Sequence, residues 1–189
     1  MSESDAAPRD DSLARARDGD VSAFAEIVRR HQRLVFSLGL RMLSNRHSAE
    51  DLAQEVFLQL HQHVDEIESD SHLVFWLRRV TAHRAIDRLR RGPHREVDLS
   101  EADSVANESD GGDPLLARRL RNLVRQLSPA ARAVVLLRYQ EDLDPNDIAR
   151  TLDMSVNTVK SHLKRSLMTL RTRFHEDGQI AVYDAGTPT

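Results

Sequence analysis

The sequence predicts an all-α protein of two small helical domains joined by a flexible linker, and three observations carry that expectation. Apolar residues recur at spacings of three and four along most of the chain, and no segment alternates convincingly with a period of two. Leu, Ala, Arg, Glu and Asp dominate while glycine, proline and aromatic residues are few, which is a helix-forming composition. One stretch, Pro93 to about Pro114, has no periodicity, is acidic and carries Gly111-Gly112 near its end, so it reads as a tether. The expected organisation of the 189 residues is a disordered N-terminus over 1–19, a first domain over 20–92, an acidic linker over 93–114, a second domain over 115–175 and a flexible tail over 176–189.

The lead-in is polar and unpatterned, without enough apolar surface to order it. Phe24, Ile27, Val28, His31, Leu34, Val35, Leu38 and Met42 then fall on one stripe of a long helix. Ser48-Ala49-Glu50-Asp51 has the form of a capping box and opens a second helix with Leu52, Val56 and Leu60 on its apolar side. The segment SDSHLVFWLRRVTAHRAIDRLRR is a third helix, with Leu73, Trp76, Leu77, Val80, Ala85 and Leu89 apolar, and Gly92-Pro93 stops it. Beyond the linker, Leu116, Leu120, Leu123, Val124 and Leu127 keep helical spacing, and Ser128-Pro129 opens a helix through Val134, Val135 and Leu137. Asp144-Pro145 repeats that device, and Ser155 caps a last helix running towards Phe174.

The net charge of −3 conceals a segregation. Between His72 and Arg95 the arginines 78, 79, 84, 88, 90, 91 and 95 face a single acid, Asp87, whereas Glu96 to Asp113 is acidic without a basic residue. A phosphate backbone responds to such local patches rather than to the sum. The acidic tether invites a further expectation, that it repels or mimics nucleic acid, beside the plainer one of a simple tether.

Several classes of function are excluded. Cysteine is absent, so disulfides, thiolate metal sites and cysteine nucleophiles are ruled out. The nine histidines are scattered, and the nearest pair, His61 and His63, cannot share a helical face. With no HExxH, glycine-rich phosphate loop or nucleophile elbow, a metal-dependent hydrolase is a poor fit. No catalytic residue, metal, cofactor or small-molecule substrate is expected. No apolar run approaches the ~18 residues of a membrane span and the polar start lacks a signal-peptide pattern, so the expected location is cytoplasmic, with no membrane partner.

Asp144 to Arg165 has the build of a helix-turn-helix: a short helix through Ile148, Ala149 and Leu152, a turn at Asp153-Met154, and a second helix capped by Ser155. Ala149 is the small residue needed where the helices cross, and Asp153 takes a turn position that favours positive φ. Val159, Leu163, Leu167 and Leu170 are expected to face inward, leaving Asn157, Lys160, Ser161, Lys164 and Arg165 to meet phosphates and base edges in a major groove.

The run SAEDLAQEVFLQLHQHV, then FWLRRVTAHRAIDRLRR, then the tether, then LSPAARAVVLLRYQEDLDPNDIARTLDMSVNTVKSHLKRSLMTLR closely resembles a bacterial RNA polymerase sigma factor of the sigma-70 family, in its compact extracytoplasmic-function (ECF) group. The resemblance covers about residues 20–174 and implies a region 2 helical bundle followed by a region 4 helix-turn-helix. It implies core RNA polymerase and promoter DNA as partners, and an anti-sigma factor as the usual keeper of such proteins. A nucleoid association while bound to polymerase follows from the same resemblance.

Asp51, Gln54 and Glu55 in DLAQE match the surface that docks on core polymerase, and their spacing places them on one helical face. An acidic first turn also favours the helix dipole. Ser71, His72, Phe75 and Trp76 match the part that captures an unstacked base of the minus-ten element, although Trp76 has the spacing of a core residue. Arg79, His83, Arg84, Arg88 and Arg91 add positive charge along the same helix. Lys160, Ser161, Lys164 and Arg165 match the minus-thirty-five contacts, with Asn157 and Thr158 near the helix start, while Ser155 is primarily a cap. Two departures stand out: Asp153 in place of the customary turn glycine, and His162 where arginine is frequent. The rival reading is a stand-alone helix-turn-helix regulator that does not join polymerase, against which DLAQE and the arginine-rich helix argue.

Overall fold

The computed structural model describes residues 11–91 and 113–184, with side chains as far as His175. Almost all of the expected linker, and with it the idea of an acidic nucleic-acid mimic, therefore lies outside the described residues, as do positions 1–10 and 185–189. Every regular element among the described residues is helical, as the 3.6-residue periodicity requires. The first unit comprises α1 (Ser12–Arg17), α2 (Val21–Leu43), α3 (Arg46–His63), a 3-10 turn at Val64–Glu66 and α4 (Asp70–Arg91). The second comprises α5 (Pro114–Arg125), α6 (Pro129–Tyr139), α7 (Pro145–Leu152) and α8 (Val156–Asp184).

Local chemistry sets the boundaries. Asp20 caps α2 by accepting from the N–H groups of Ser22 at 2.8 Å and Ala23 at 3.1 Å, while Arg15 grips the same carboxylate at 2.5 Å and ties α1 to the cap. Ser44 closes α2 in the left-handed conformation at φ 55°. The cap of α3 is Asn45, whose side chain accepts from the Ser48 N–H at 2.8 Å, so α3 starts before the capping box expected at Ser48. Asn accepts as well as Ser at this position, and the earlier one claimed the helix.

α2, α3 and α4 pack as a bundle around Ile27, Leu38, Met42, Leu52, Leu60, Leu73 and Leu77. Gly39 allows α3 to come close to α2: a Cβ there would lie 3.1 Å from the Leu52 side chain. The expected disorder over 1–19 fails in part, because Leu13 and Ala16 of α1 are buried in this core. Two apolar residues at helical spacing suffice once a neighbouring surface exists to receive them.

In the second unit α6 is buried along nearly its whole length, Ala131 to Leu137, between α7, α8 and the first unit. On α8 the inward stripe is Val159, Ser166 and Leu170, which are buried, with Leu163 partly buried between them. Leu167, expected to face inward, is instead 44% exposed, because the stripe takes its three-residue step one position earlier. Leu115, Leu116 and Leu120 of α5 are exposed as well, leaving Leu123 as the buried anchor of that helix. The α8 backbone continues to Asp184, into the stretch expected as a tail, Gly178 being a tolerable interior residue at a cost of ~1 kcal/mol.

The units are not separate bodies on a string. A single cluster of buried side chains runs from Leu13 and Ile27 through Leu77 and Ile86 to Val134, Leu137, Ile148 and Val159. α6 packs on α2 and α4, and α7 packs on α4.

Candidate nucleic-acid and protein interface

The helix-turn-helix forms as its sequence requires. Asp144 caps α7 by accepting from the N–H groups of Asn146 at 2.7 Å and Asp147 at 2.8 Å, and Ser155 Oγ accepts from the Thr158 N–H at 3.1 Å to start α8. Asp153 occupies the turn at φ 53°, where glycine is cheapest, and the Met154 N–H returns to the Ala149 carbonyl. Ala149 and Ile148 are buried at the crossing. Asn157, Thr158, Lys160, Lys164 and Arg165 are exposed and Ser161 is half-buried, so the predicted reading residues share an accessible face. His162 is half-buried beside them.

The N–H of Asp147, then that of Asn146, hold the Asp144 carboxyl below its ordinary value. A depressed folded-state pKa adds stability that is present above the usual carboxylate range of about 4 and is lost as pH falls through the folded value. Asp144→Asn keeps a competent cap but no titrating group, so its helix content should fall less steeply in acid than that of the parent. Superimposable acid titrations by circular dichroism would count against this role.

α4 presents the second surface. Ser69 Oγ accepts from the His72 N–H at 3.2 Å and lies 3.0 Å from Ser71 Oγ, while His72 Nδ1 accepts from the Glu68 N–H at 3.2 Å. Ser71 and His72 thus belong to the cap of α4, and Ser69 is a capping residue that sequence reasoning missed. Phe75 and Trp76 are both partly exposed, and Trp76 packs on the core, as its spacing indicated.

The arginines of α4 divide into two sets. Arg84 donates to Gln59 Oε1 at 2.8 and 3.0 Å and lies 3.5 Å from Glu55; Arg88 pairs with Glu55 at 2.8 Å and donates to the Ser48 carbonyl at 2.7 Å. Glu55 is therefore shared between the DLAQE face and the arginine face. Asp51 sits 3.6 Å from His47, Gln54 is exposed, and Arg91 is exposed at the end of the helix.

Arg79 and His83 turn to the second unit. The Arg79 guanidinium makes two bonds to the Asp153 carboxylate, at 2.9 and 2.6 Å, and a third to the Arg150 carbonyl at 3.0 Å. His83 Nε2 lies 3.1 Å from the Thr151 carbonyl oxygen and 3.6 Å from Asp153. Arg78 pairs with Glu141 at 2.9 Å. The sequence gives no signal for these pairings, which join residues more than sixty positions apart. Among the described residues no group of histidines and carboxylates is arranged to hold a metal, and no helix is long and apolar enough to cross a membrane.

Comparison with known proteins agrees with this architecture. The model of sigma-70 region 2 matches residues 27–94 and that of sigma-70 region 4 matches residues 117–170, together well over half of the chain. The ECF RNA polymerase sigma factor SigW of Bacillus subtilis is 29% identical over 178 residues, 87% of this chain and 95% of that protein. SigK of Mycobacterium tuberculosis, with the same description, is 29% identical across 84% of this chain and 89% of its own. SigE of Mycolicibacterium smegmatis is 31% identical across 77% of this chain and 59% of its own. Among solved structures, CnrH in complex with the cytosolic domain of CnrY superposes with a TM-score of 0.62 at 20% identity, over 94% of this chain and 98% of that one, a likeness of fold.

Proposed function

This chain belongs to the sigma-70 family of RNA polymerase sigma factors, in the ECF group, and from that premise we propose how its surfaces divide the work of starting transcription. It directs core RNA polymerase to promoters without performing chemistry of its own. In this reading Asp51, Gln54 and Glu55 dock on polymerase, the first unit captures and melts the minus-ten element, and α8 reads the minus-thirty-five element. One observation carries the last assignment: Asn157, Thr158, Lys160, Lys164 and Arg165 face solvent from the start of a helix whose Val159 is fully buried in a helix-turn-helix.

Capturing an unstacked base requires a π surface, polar groups for the base edge and cations for the backbone. Phe75 supplies a partly exposed ring, and Trp76, also partly exposed, packs on the core; Ser71 and His72 stand at the adjoining helix start. Arg79, His83, Arg84, Arg88 and Arg91 provide the charge. An anti-sigma factor is a further partner in this proposal, supported by the fold shared with CnrH, which was solved bound to the cytosolic domain of CnrY, and by the apolar side chains of Leu116, Leu120 and Met168 left at the surface.

Run-off transcription with core polymerase tests the proposal: specific transcripts should depend on the protein, and failure to co-elute with core polymerase would support a stand-alone regulator instead. Lys164→Ala should weaken binding to promoter DNA and reduce the slope of log affinity against log salt by about one. An unchanged slope would remove Lys164 from the phosphate contacts.

A further inference from the structure

We infer that Arg84 and Arg88 of α4 are positioning residues for polymerase docking: besides lending charge to the minus-ten surface, they hold the Glu55 carboxylate of α3 in the orientation that meets core polymerase. The inference rests on the reading above that Asp51, Gln54 and Glu55 form the docking face.

Geometry is the first reason. Arg88 pairs with Glu55 Oε1 at 2.8 Å and, through its other terminal nitrogen, donates to the Ser48 carbonyl in the first turn of α3 at 2.7 Å. Arg84 is fixed by two bonds to Gln59 Oε1, at 3.0 and 2.8 Å, and its remaining terminal nitrogen lies 3.5 Å from Glu55 Oε2. Each guanidinium is therefore anchored on α3 at one point and reaches the same carboxylate at another. The planar fork of arginine suits such a bridge between two acceptors. The anchors stand about two turns before and one turn after Glu55, so they bracket the stretch that carries the docking face.

Ordering is the second. A glutamate on an open helix face loses rotamer freedom when a partner captures it, a cost worth about two- to ten-fold in affinity per side chain. The Glu55 side chain is 48% exposed, yet it enters docking already held by two cations. A carboxylate offers about four acceptor sites, so the clamp leaves room on it for a partner. Asp51 is shorter and meets His47 on its own helix, at 3.6 Å. Location is the third reason: Glu55, Gln59 and Arg84 line one shallow groove with the exposed Leu58, and a partner that reaches Glu55 arrives beside the clamp.

Charge alone predicts the opposite of positioning. An acidic face takes a cationic partner, so arginines acting only through their field would oppose docking, and their removal would tighten it. Loss of the clamp weakens it instead.

Fluorescence titration of labelled full-length protein with core polymerase, DNA absent, separates the two. Glu55→Ala should weaken binding at least about ten-fold. Arg88→Gln should weaken it about three- to ten-fold and Arg84→Gln about two-fold, the scale of one side chain's lost ordering. Arg88→Lys keeps the charge but cannot bridge Glu55 and the Ser48 carbonyl together, so it should resemble Arg88→Gln. In the Glu55→Ala background Arg88→Gln should cause no further weakening, whereas a general loss of fold would persist there. Parental or tighter binding by both arginine-to-glutamine variants, or losses that simply multiply with that of Glu55→Ala, overturn the inference. Parental binding by Glu55→Ala is a different result: it removes Glu55 from the docking face, and the role of its two arginines there with it.

Discussion

Replacing Arg132 by alanine is expected to destabilise the protein by about 2–4 kcal/mol, lowering its melting temperature by roughly 5–15 °C. Arg132 is 5% exposed and donates to the Met42 carbonyl at 2.5 Å and to the Arg125 carbonyl. These carbonyls lie in the last turns of α2 and α5, among the groups a helix cannot satisfy internally. One guanidinium therefore closes two helix ends, one from each unit, and sits at the negative pole of both. Burial, with Arg125 nearby, pushes its pKa down to about 10, which leaves it charged at neutral pH. Desolvating that cation is costly, and Nε has no partner, so the carbonyl bonds are what make the burial tolerable. Truncation takes the side-chain donor from one buried and one part-buried carbonyl and leaves a cavity behind. Arg132→Lys should recover only part of the loss, because a point ammonium cannot span two divergent carbonyls. Urea unfolding checks this, and a change below 1 kcal/mol for the alanine variant would mean that the helix ends do not depend on Arg132.

The second large effect concerns polymerase. Asp51→Arg combined with Gln54→Arg should lower the affinity for core polymerase at least ~100-fold, because two cations would replace an acid and an amide at the centre of the proposed docking face. Both positions are solvent-accessible and, among the described residues, the ion pair of Asp51 is with the exposed His47, so the fold should survive. Glu55 is the wrong residue for this test: it holds Arg84 and Arg88, and reversing its charge would set three cations together and disturb α4. Fluorescence titration with labelled protein gives the affinity, and circular dichroism confirms the fold. Parental affinity in the double variant would place the docking face elsewhere.

Much of this molecule is written locally. The all-helical class, the order of the long helices, the Ser128-Pro129 and Asp144-Pro145 starts, the αL turn at Asp153 and the solvent-facing Asn157, Thr158, Lys160, Lys164 and Arg165 all follow from periodicity and cap chemistry acting within a few residues. So does the family, since its two motifs are runs of adjacent residues. The cap of α3 lies three residues before the Ser48 expected from sequence, at Asn45, because Asn and Ser compete on equal terms when both precede an apolar stripe.

Tertiary structure decided the rest. Only the presence of a neighbouring surface made Leu13 and Ala16 core residues, and only the exact rotation of α8 turned Leu167 outward and Ser166 inward. The apparently free arginines of α4 acquired partners at Gln59, Glu55, Glu141 and Asp153, contacts whose sequence separation runs from twenty-five to seventy-four residues. Periodicity determines which side of a helix is buried; it carries no information about which distant surface buries it. Charge segregation accordingly announced that α4 could meet a polyanion, and the fold alone disclosed that in the free chain part of that face is already occupied by the protein itself.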